Sequence, residues 1–168
     1  MTLKKYLCLL ICAALMIAFS GCTTDLGDEE ETYSSNGFSI TMNNGFRKKD
    51  MQAVTYYLES RQVMFTALKE SIASLADSGI TADSTLQEYM DVVVDANKLD
   101  GSTIQEGNDG SFLYLNHEGT ANGKSYFYTV VAVKGSDAFW LCNFICQTDI
   151  RSEYETKFLD WATTIVVE

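Results

Sequence analysis

Two stretches of this chain are apolar on both of their alternating faces. In Tyr126-Phe127-Tyr128-Thr129-Val130-Val131-Ala132-Val133, and again from Phe139 to Cys146, odd and even positions are each largely aromatic, aliphatic or thiol. Side chains of a strand point alternately to opposite sides, so a sheet with one wet face would carry a polar residue at every second position. These strands must be covered above and below, which confines the chain to a layered α+β arrangement with a sheet at its centre. A third run, 111–118, has similar strand-forming composition. Asn122-Gly123 and Gly135-Ser136 supply the turns that join it to runs 125–134 and 138–147 as an antiparallel meander.

The covers are also visible. Ser84 followed by Gln87 fits a capping box that opens a helix over 85–96, with Leu86, Met90, Val93 and Val94 on its apolar side. A second helix is predicted from Ile150, capped by Asp149, with Ile150, Tyr154, Phe158, Trp161 and Ile165 at three- and four-residue steps. The segment 51–75 admits two readings. Met51, Val54, Leu58, Phe65, Leu68, Ile72 and Leu75 fit a helical register, but 54–57 and 63–68 are β-branched and aromatic around the polar set 59–62. Two strands joined by a turn are predicted there. Residues 37–42 are expected to form an edge or first strand of the same sheet, giving about six or seven strands flanked by helices on both faces.

The N-terminus carries a different kind of pattern. Lys4 and Lys5 precede an apolar stretch from Leu7 to Phe19, followed by Ser20-Gly21-Cys22. A positive region, a short apolar region and small residues before a cut are the layout of a signal peptide. Phe19-Ser20-Gly21-Cys22 resembles the lipobox of bacterial lipoproteins, which implies removal of 1–21 and attachment of a diacylglyceryl group to the sulfur of Cys22. A thiolate is the soft nucleophile such a transfer needs. Two acyl chains suffice for stable anchoring where one is only reversible. The expected partner of the N-terminus is therefore a membrane, and the expected location is the extracytoplasmic side of a bacterial cell envelope.

Loss of Lys4 and Lys5 from the 12 Lys and Arg leaves 10 against 23 Asp and Glu, a formal charge of −13. Such a surface disfavours DNA, RNA and anionic headgroups. Asp25, Asp28, Glu29, Glu30 and Glu31 fall in an apolar-poor stretch, so residues 22–36 read as the lipidated cysteine and an acidic flexible tether. Residues 37–168 are then one domain.

Chemistry-bearing residues are sparse. His117 is the single histidine, and neither a Ser nor a Cys nucleophile with an orienting acid can be placed beside it. Cys142 and Cys146, four residues apart on one strand, lie roughly 13 Å from each other, too far for a disulfide, and are expected as free buried thiols. One His and two such thiols do not make a metal site. There is no Walker loop and no dinucleotide fingerprint, so no cofactor is expected and no catalytic residue is assigned.

Phe38-Ser39-Ile40, Asn44-Gly45-Phe46, Thr85-Leu86-Gln87-Glu88-Tyr89, the run 123–133, Phe139-Trp140 and Phe158-Leu159-Asp160-Trp161-Ala162 together resemble the PsbP-like superfamily. This group includes photosystem PsbP proteins, Ran-binding Mog proteins and DcrB-type bacterial lipoproteins. The resemblance covers nearly all of 37–168 and implies a central antiparallel sheet between helices. Many relatives carry a proline and a tryptophan near the first turn, where this chain has Met42-Asn43-Asn44-Gly45-Phe46. A shared fold leaves activity open. Two roles are expected to compete. One is a non-catalytic binding or scaffolding module for a protein, peptide or envelope component, using whichever of Tyr56, Tyr57, Tyr114 and Tyr126 face outward, with burial between sheet and helices the expectation for these tyrosines. The other is an extracytoplasmic enzyme or small-ligand carrier acting through acidic residues that the sequence does not single out.

Overall fold

A computed structural model describes residues 24–107 and 110–168. In chain order the elements are β1 (Glu30–Ser35), β2 (Phe38–Asn43), β3 (Arg47–Lys48), β4 (Tyr56–Glu59), β5 (Val63–Ser71), the single turn α1 (Ile72–Leu75) and α2 (Leu86–Asn97). There follow β6 (Gln105–Glu106), β7 (Leu113–Ala121), β8 (Lys124–Lys134), β9 (Ala138–Gln147), α3 (Arg151–Ala162) and β10 (Val166–Val167). A seven-stranded antiparallel sheet runs β3-β4-β5-β9-β8-β7-β6, and a second sheet of three strands runs β1-β2-β10. The α+β class and the meander of β7, β8 and β9 follow the sequence pattern.

Alternation along β8 and β9 divides the core into two layers. Phe127, Val131, Trp140, Cys142, Phe144 and Cys146 face α3 and β2, where they meet Tyr154, Phe158, Trp161, Phe38, Ile40 and Met42. Tyr126, Tyr128, Val130, Ala132, Phe139, Leu141 and Ile145 face α2, against Tyr89, Met90 and Val93. Burying one such side chain contributes about 1.5–3 kcal/mol, so the centre of the sheet is stabilised from two directions at once.

Residues 51–75 form two strands, not a helix, with boundaries later than expected. Glu59, read as the start of a turn, is the last residue of β4, and β5 continues to Ser71. Residues 37–42 were expected in the main sheet, but β2 lies in the smaller one. Its strict in-and-out burial explains why: Phe38, Ile40 and Met42 point inward and Ser39, Thr41 and Asn43 outward, the pattern of a cover with one wet face.

The tether reading of 22–36 is corrected as well over its described part, 24–36. Glu30–Ser35 is a strand paired along its whole length with β2. Two forces hold it there. Asn36 and Gly37 take φ values of 50° and 78°, the left-handed pair of a two-residue hairpin turn, as Asn122 and Gly123 do with 51° and 74°. Tyr33 then inserts its ring into the core, edge-on to Phe46 with centroids 5.8 Å apart.

The helix starts also shift. Thr85 caps α2, its hydroxyl accepting from the Glu88 N–H while Glu88 accepts from the Thr85 N–H. Ser84 is engaged elsewhere, its hydroxyl accepting from the Thr81 N–H and its carbonyl from the Lys134 ammonium at 2.7 Å. Asp149 does not cap α3: residues 148–150 make a tighter turn and the helix proper begins at Arg151. Ile165 falls beyond its end, while Tyr154, Phe158 and Trp161 are buried on the expected stripe. Phe158 is fully buried and stacks on Phe144 at 5.3 Å. Phe158→Ala is expected to cost about 3–5 kcal/mol, read as a lower urea midpoint with unchanged slope.

Candidate functional site

Glu59 is fully buried at the end of a strand whose other residues are apolar or aromatic. An ionised carboxylate survives burial only with hydrogen-bonded counter-charge. The Lys49 ammonium supplies it, 2.8 Å from both carboxylate oxygens, and the Tyr57 hydroxyl donates to Oε2 at 2.5 Å. Strand alternation puts Tyr57 and Glu59 on one face, and the Lys49 N–H bonded to the Tyr57 carbonyl at 3.1 Å fixes the lysine beside them. The Lys49 side chain is 41% exposed, so this cluster reaches solvent. Burial, and then the bond to Glu59, raise the Tyr57 phenol far above its ordinary range.

The same face carries more polar groups. Register aligns Tyr57 with Thr66 and Thr66 with Asn143 on three adjacent strands. The Asn143 amide donates to Thr66 at 3.4 Å, and its Oδ1 is buried with no hydrogen-bond partner among the described residues. Further along β5, Glu70 is buried and accepts from the Tyr89 hydroxyl. Tyr89 stacks on Phe139 at 4.5 Å, so α2 is pinned to the sheet by one ring and one phenol.

On the opposite face, Arg151 of α3 binds Glu155 through two nitrogens at 3.0 and 2.8 Å and Glu118 of β7 at 3.1 Å. The bond to Glu155, more than any other cause, raises its pKa. Its guanidinium sits 4.3 Å from the centre of the Phe127 ring. Asn116 joins the group by donating to Glu155 at 3.3 Å and accepting from Thr129 at 2.8 Å. This is a clamp between helix and sheet.

His117 stacks face to face on Tyr128 at 4.5 Å. Burial lowers its pKa, partly offset by the Glu118 carbonyl. Cys142 and Cys146 are free and buried, as their spacing required. Burial raises both thiols, Cys146 to about 12, so neither is a thiolate at neutral pH. The four tyrosines follow the expectation of burial between sheet and helices. Tyr56, Tyr57 and Tyr126 are buried and Tyr114 is half-buried, because both faces of the sheet are covered. Val166 is the exposed large apolar residue among those described. Cys22 and the signal segment 1–21 lie outside the described residues. Among the described residues, no group of three His, Cys, Asp or Glu is placed to hold a metal.

The sequence reading missed Lys49, Glu59 and the Glu70–Tyr89 pair. A carboxylate at an inward position of an apolar strand was the available signal, masked at Glu59 by its resemblance to a turn.

No family model matches the chain, and no curated protein matches it. Solved structures do. PsbP (CyanoP) from Synechocystis sp. PCC 6803, a solution structure, superposes with a TM-score of 0.57 at 16% identity, over 89% of this chain and 98% of its own. A crystal structure from Bacteroides thetaiotaomicron VPI-5482 gives 0.53 at 10% identity over 82% of this chain. The chain spans about half that protein's length, 48%. LpqN, described as involved in cell envelope biogenesis of Mycobacterium tuberculosis, gives 0.48 at 10% identity, covering 83% and 90%. The fold is PsbP-like.

Two outcomes follow from these contacts. Glu59→Gln is expected to cost about 1.5–3 kcal/mol in urea unfolding, against less than about 1 kcal/mol for the exposed Glu118→Gln. His117 is disfavoured as the cation in the folded state, so the unfolded chain binds its proton first. Stability must then fall as pH drops below the unfolded value near 6.5, and His117→Phe is expected to flatten that slope.

Proposed function

We propose that the chain is a non-catalytic binding or scaffolding module, lipid-anchored through Cys22 on the extracytoplasmic side of a bacterial membrane. Its partner on this reading is a protein, peptide or other envelope component. The observation that carries the reading is the use to which buried polar side chains are put. Buried Glu59 and Glu70 are spent on Lys49 and on Tyr89 of α2, half-buried Glu155 of α3 is spent on Asn116 of β7, and both thiols are shielded. The strong acidity of the chain, −11 overall, argues against nucleic acid.

The anchor rests on the signal-like pattern of 1–22, and no helix among the described residues is long and apolar enough to cross a membrane. Thr24 is already docked: its hydroxyl donates to the Gly45 carbonyl at 2.7 Å, and its carbonyl accepts from the Arg61 N–H at 3.1 Å. Two residues reach at most about 7 Å. A lipid on Cys22 would therefore hold the Gly45–Arg61 end of the domain close to the bilayer rather than on a long leash. An enzyme or ligand carrier is the competing role, favoured by one feature, the solvent-reaching Lys49 above buried Glu59.

In fractionated bacteria, Cys22→Ala is expected to release the chain from the membrane and to remove the mass of a diacylglyceryl group from its N-terminus. A substituted chain that stays membrane-bound overturns the anchor. Crosslinking of the wild-type chain in cells then tests binding. A reproducible second component supports it, and recovery of the chain and lipid alone overturns it.

A further inference from the structure

We infer that β1 is a docking edge for a second copy of this chain, pairing antiparallel to the same strand about Thr32. Among the described residues, β1 stands at the open side of the small sheet. The direction of its backbone groups can be worked out from its neighbour. The Thr41 N–H donates to the Thr164 hydroxyl, and that hydroxyl donates back to the Thr41 carbonyl, both at 2.9 Å. Odd-numbered residues of β2 therefore turn toward β10. Even-numbered ones turn toward β1, as Asn44 continues to do by donating to the Glu29 carbonyl at 2.7 Å.

In an antiparallel ladder, Thr32 opposite Thr41 is then a pair without mutual backbone bonds. Glu30, Thr32 and Ser34 aim both N–H and C=O away from β2, and all three are exposed. The other sheet ends, β3, β6 and β10, are two residues each. β1 has six, no proline and an unbroken one-to-one register, so it lacks the usual defences of an edge against pairing except charge.

That charge selects the occupant. The acids Asp28, Glu29, Glu30 and Glu31 lie at the start of the strand, and Lys48 lies at its end, donating to the Ser35 hydroxyl at 3.2 Å. Parallel pairing would stack acid on acid. Antiparallel pairing centred on Thr32 puts Thr32 opposite its own copy, Glu30 opposite Ser34, and Ser35 opposite Glu29. Each Lys48 then faces the acidic start of the other strand, and the two-fold axis repeats the contact. The surface is self-complementary as a two-fold interface requires. The small sheet becomes six strands across the pair.

The test is site-specific oxidation of the full chain expressed in bacteria. Opposed residues of a bonded antiparallel pair have Cα atoms about 5.5 Å apart, inside the range a disulfide spans. Thr32→Cys is expected to give a covalent dimer. Thr41→Cys, one strand further in on each copy, would stand about 15 Å from its equivalent and is expected to give none. Lys48→Glu is expected to lower the Thr32→Cys yield about tenfold, the scale of two rim ion pairs turned repulsive, and Glu29→Lys in the same chain to restore it. Thr32→Pro removes an N–H that β2 does not use, so it should retain the native circular dichroism while abolishing self-association in light scattering. The inference is overturned if Thr32→Cys dimerises no more than Thr41→Cys, or if its main disulfide product contains a different protein.

Discussion

Coverage of β8 and β9 on both faces is the constraint from which the rest of this structure follows. Every residue from Tyr126 to Ala132 and from Ala138 to Cys146 is buried. A strand in that position can be neither an edge nor the wall of an open groove. It must have neighbours on both sides and a layer above and below, and the remaining chain is spent supplying them. β5 and β7 flank the pair, α2 seals one face, and α3 with the small sheet seals the other. One apolar pattern thus accounts for the seven-stranded width, for a second sheet and for helices placed on opposite sides.

The same constraint governs where charge can go. Polar side chains between the layers and along their margins fasten one element to another. Tyr89 ties α2 to Glu70 of β5, Arg151 and Glu155 tie α3 to β7, and Lys49 with Tyr57 neutralises Glu59 at the sheet margin. Of these ion pairs only Lys49–Glu59 has a buried member, and removing the lysine would strand the charge of Glu59. In a core rich in aromatic rings, α2 and α3 are each tied to the sheet by at least one such polar contact.

Legibility in the sequence tracked how local the determining physics was. The meander, the stripe of α3 and the free thiols were readable because period-2 alternation, helical spacing and covalent reach act over a few residues. Asn122-Gly123 was read as a turn, whereas Asn36-Gly37, the same dipeptide with nearly the same φ values, was not, because the acidic run before it looked unable to fold. What folds that run is remote: Tyr33 docks beside Phe46, and its ladder partner is β2. The capping box moved by one residue because Ser84-Thr85-Leu86-Gln87-Glu88 contains two overlapping versions. Lys134, fifty residues away, engages Ser84. The Lys49–Glu59–Tyr57 cluster was invisible for a related reason, since nothing local says which of many carboxylates will be buried.

Docking of the N-terminal segment also changes what an anchor would do mechanically. A flexible leash of 14 residues, 23–36, would average roughly 20 Å end to end and leave the domain free to tumble. Here residues from Thr24 onward are held by Gly45, Arg61 and Asn43, so attachment at Cys22 would fix orientation as well as location. The acidic residues 28–31 would then sit near the membrane-proximal end, where anionic headgroups repel them. Such repulsion would tilt an anchored domain away from the bilayer, and the docked chain would limit how far it could go.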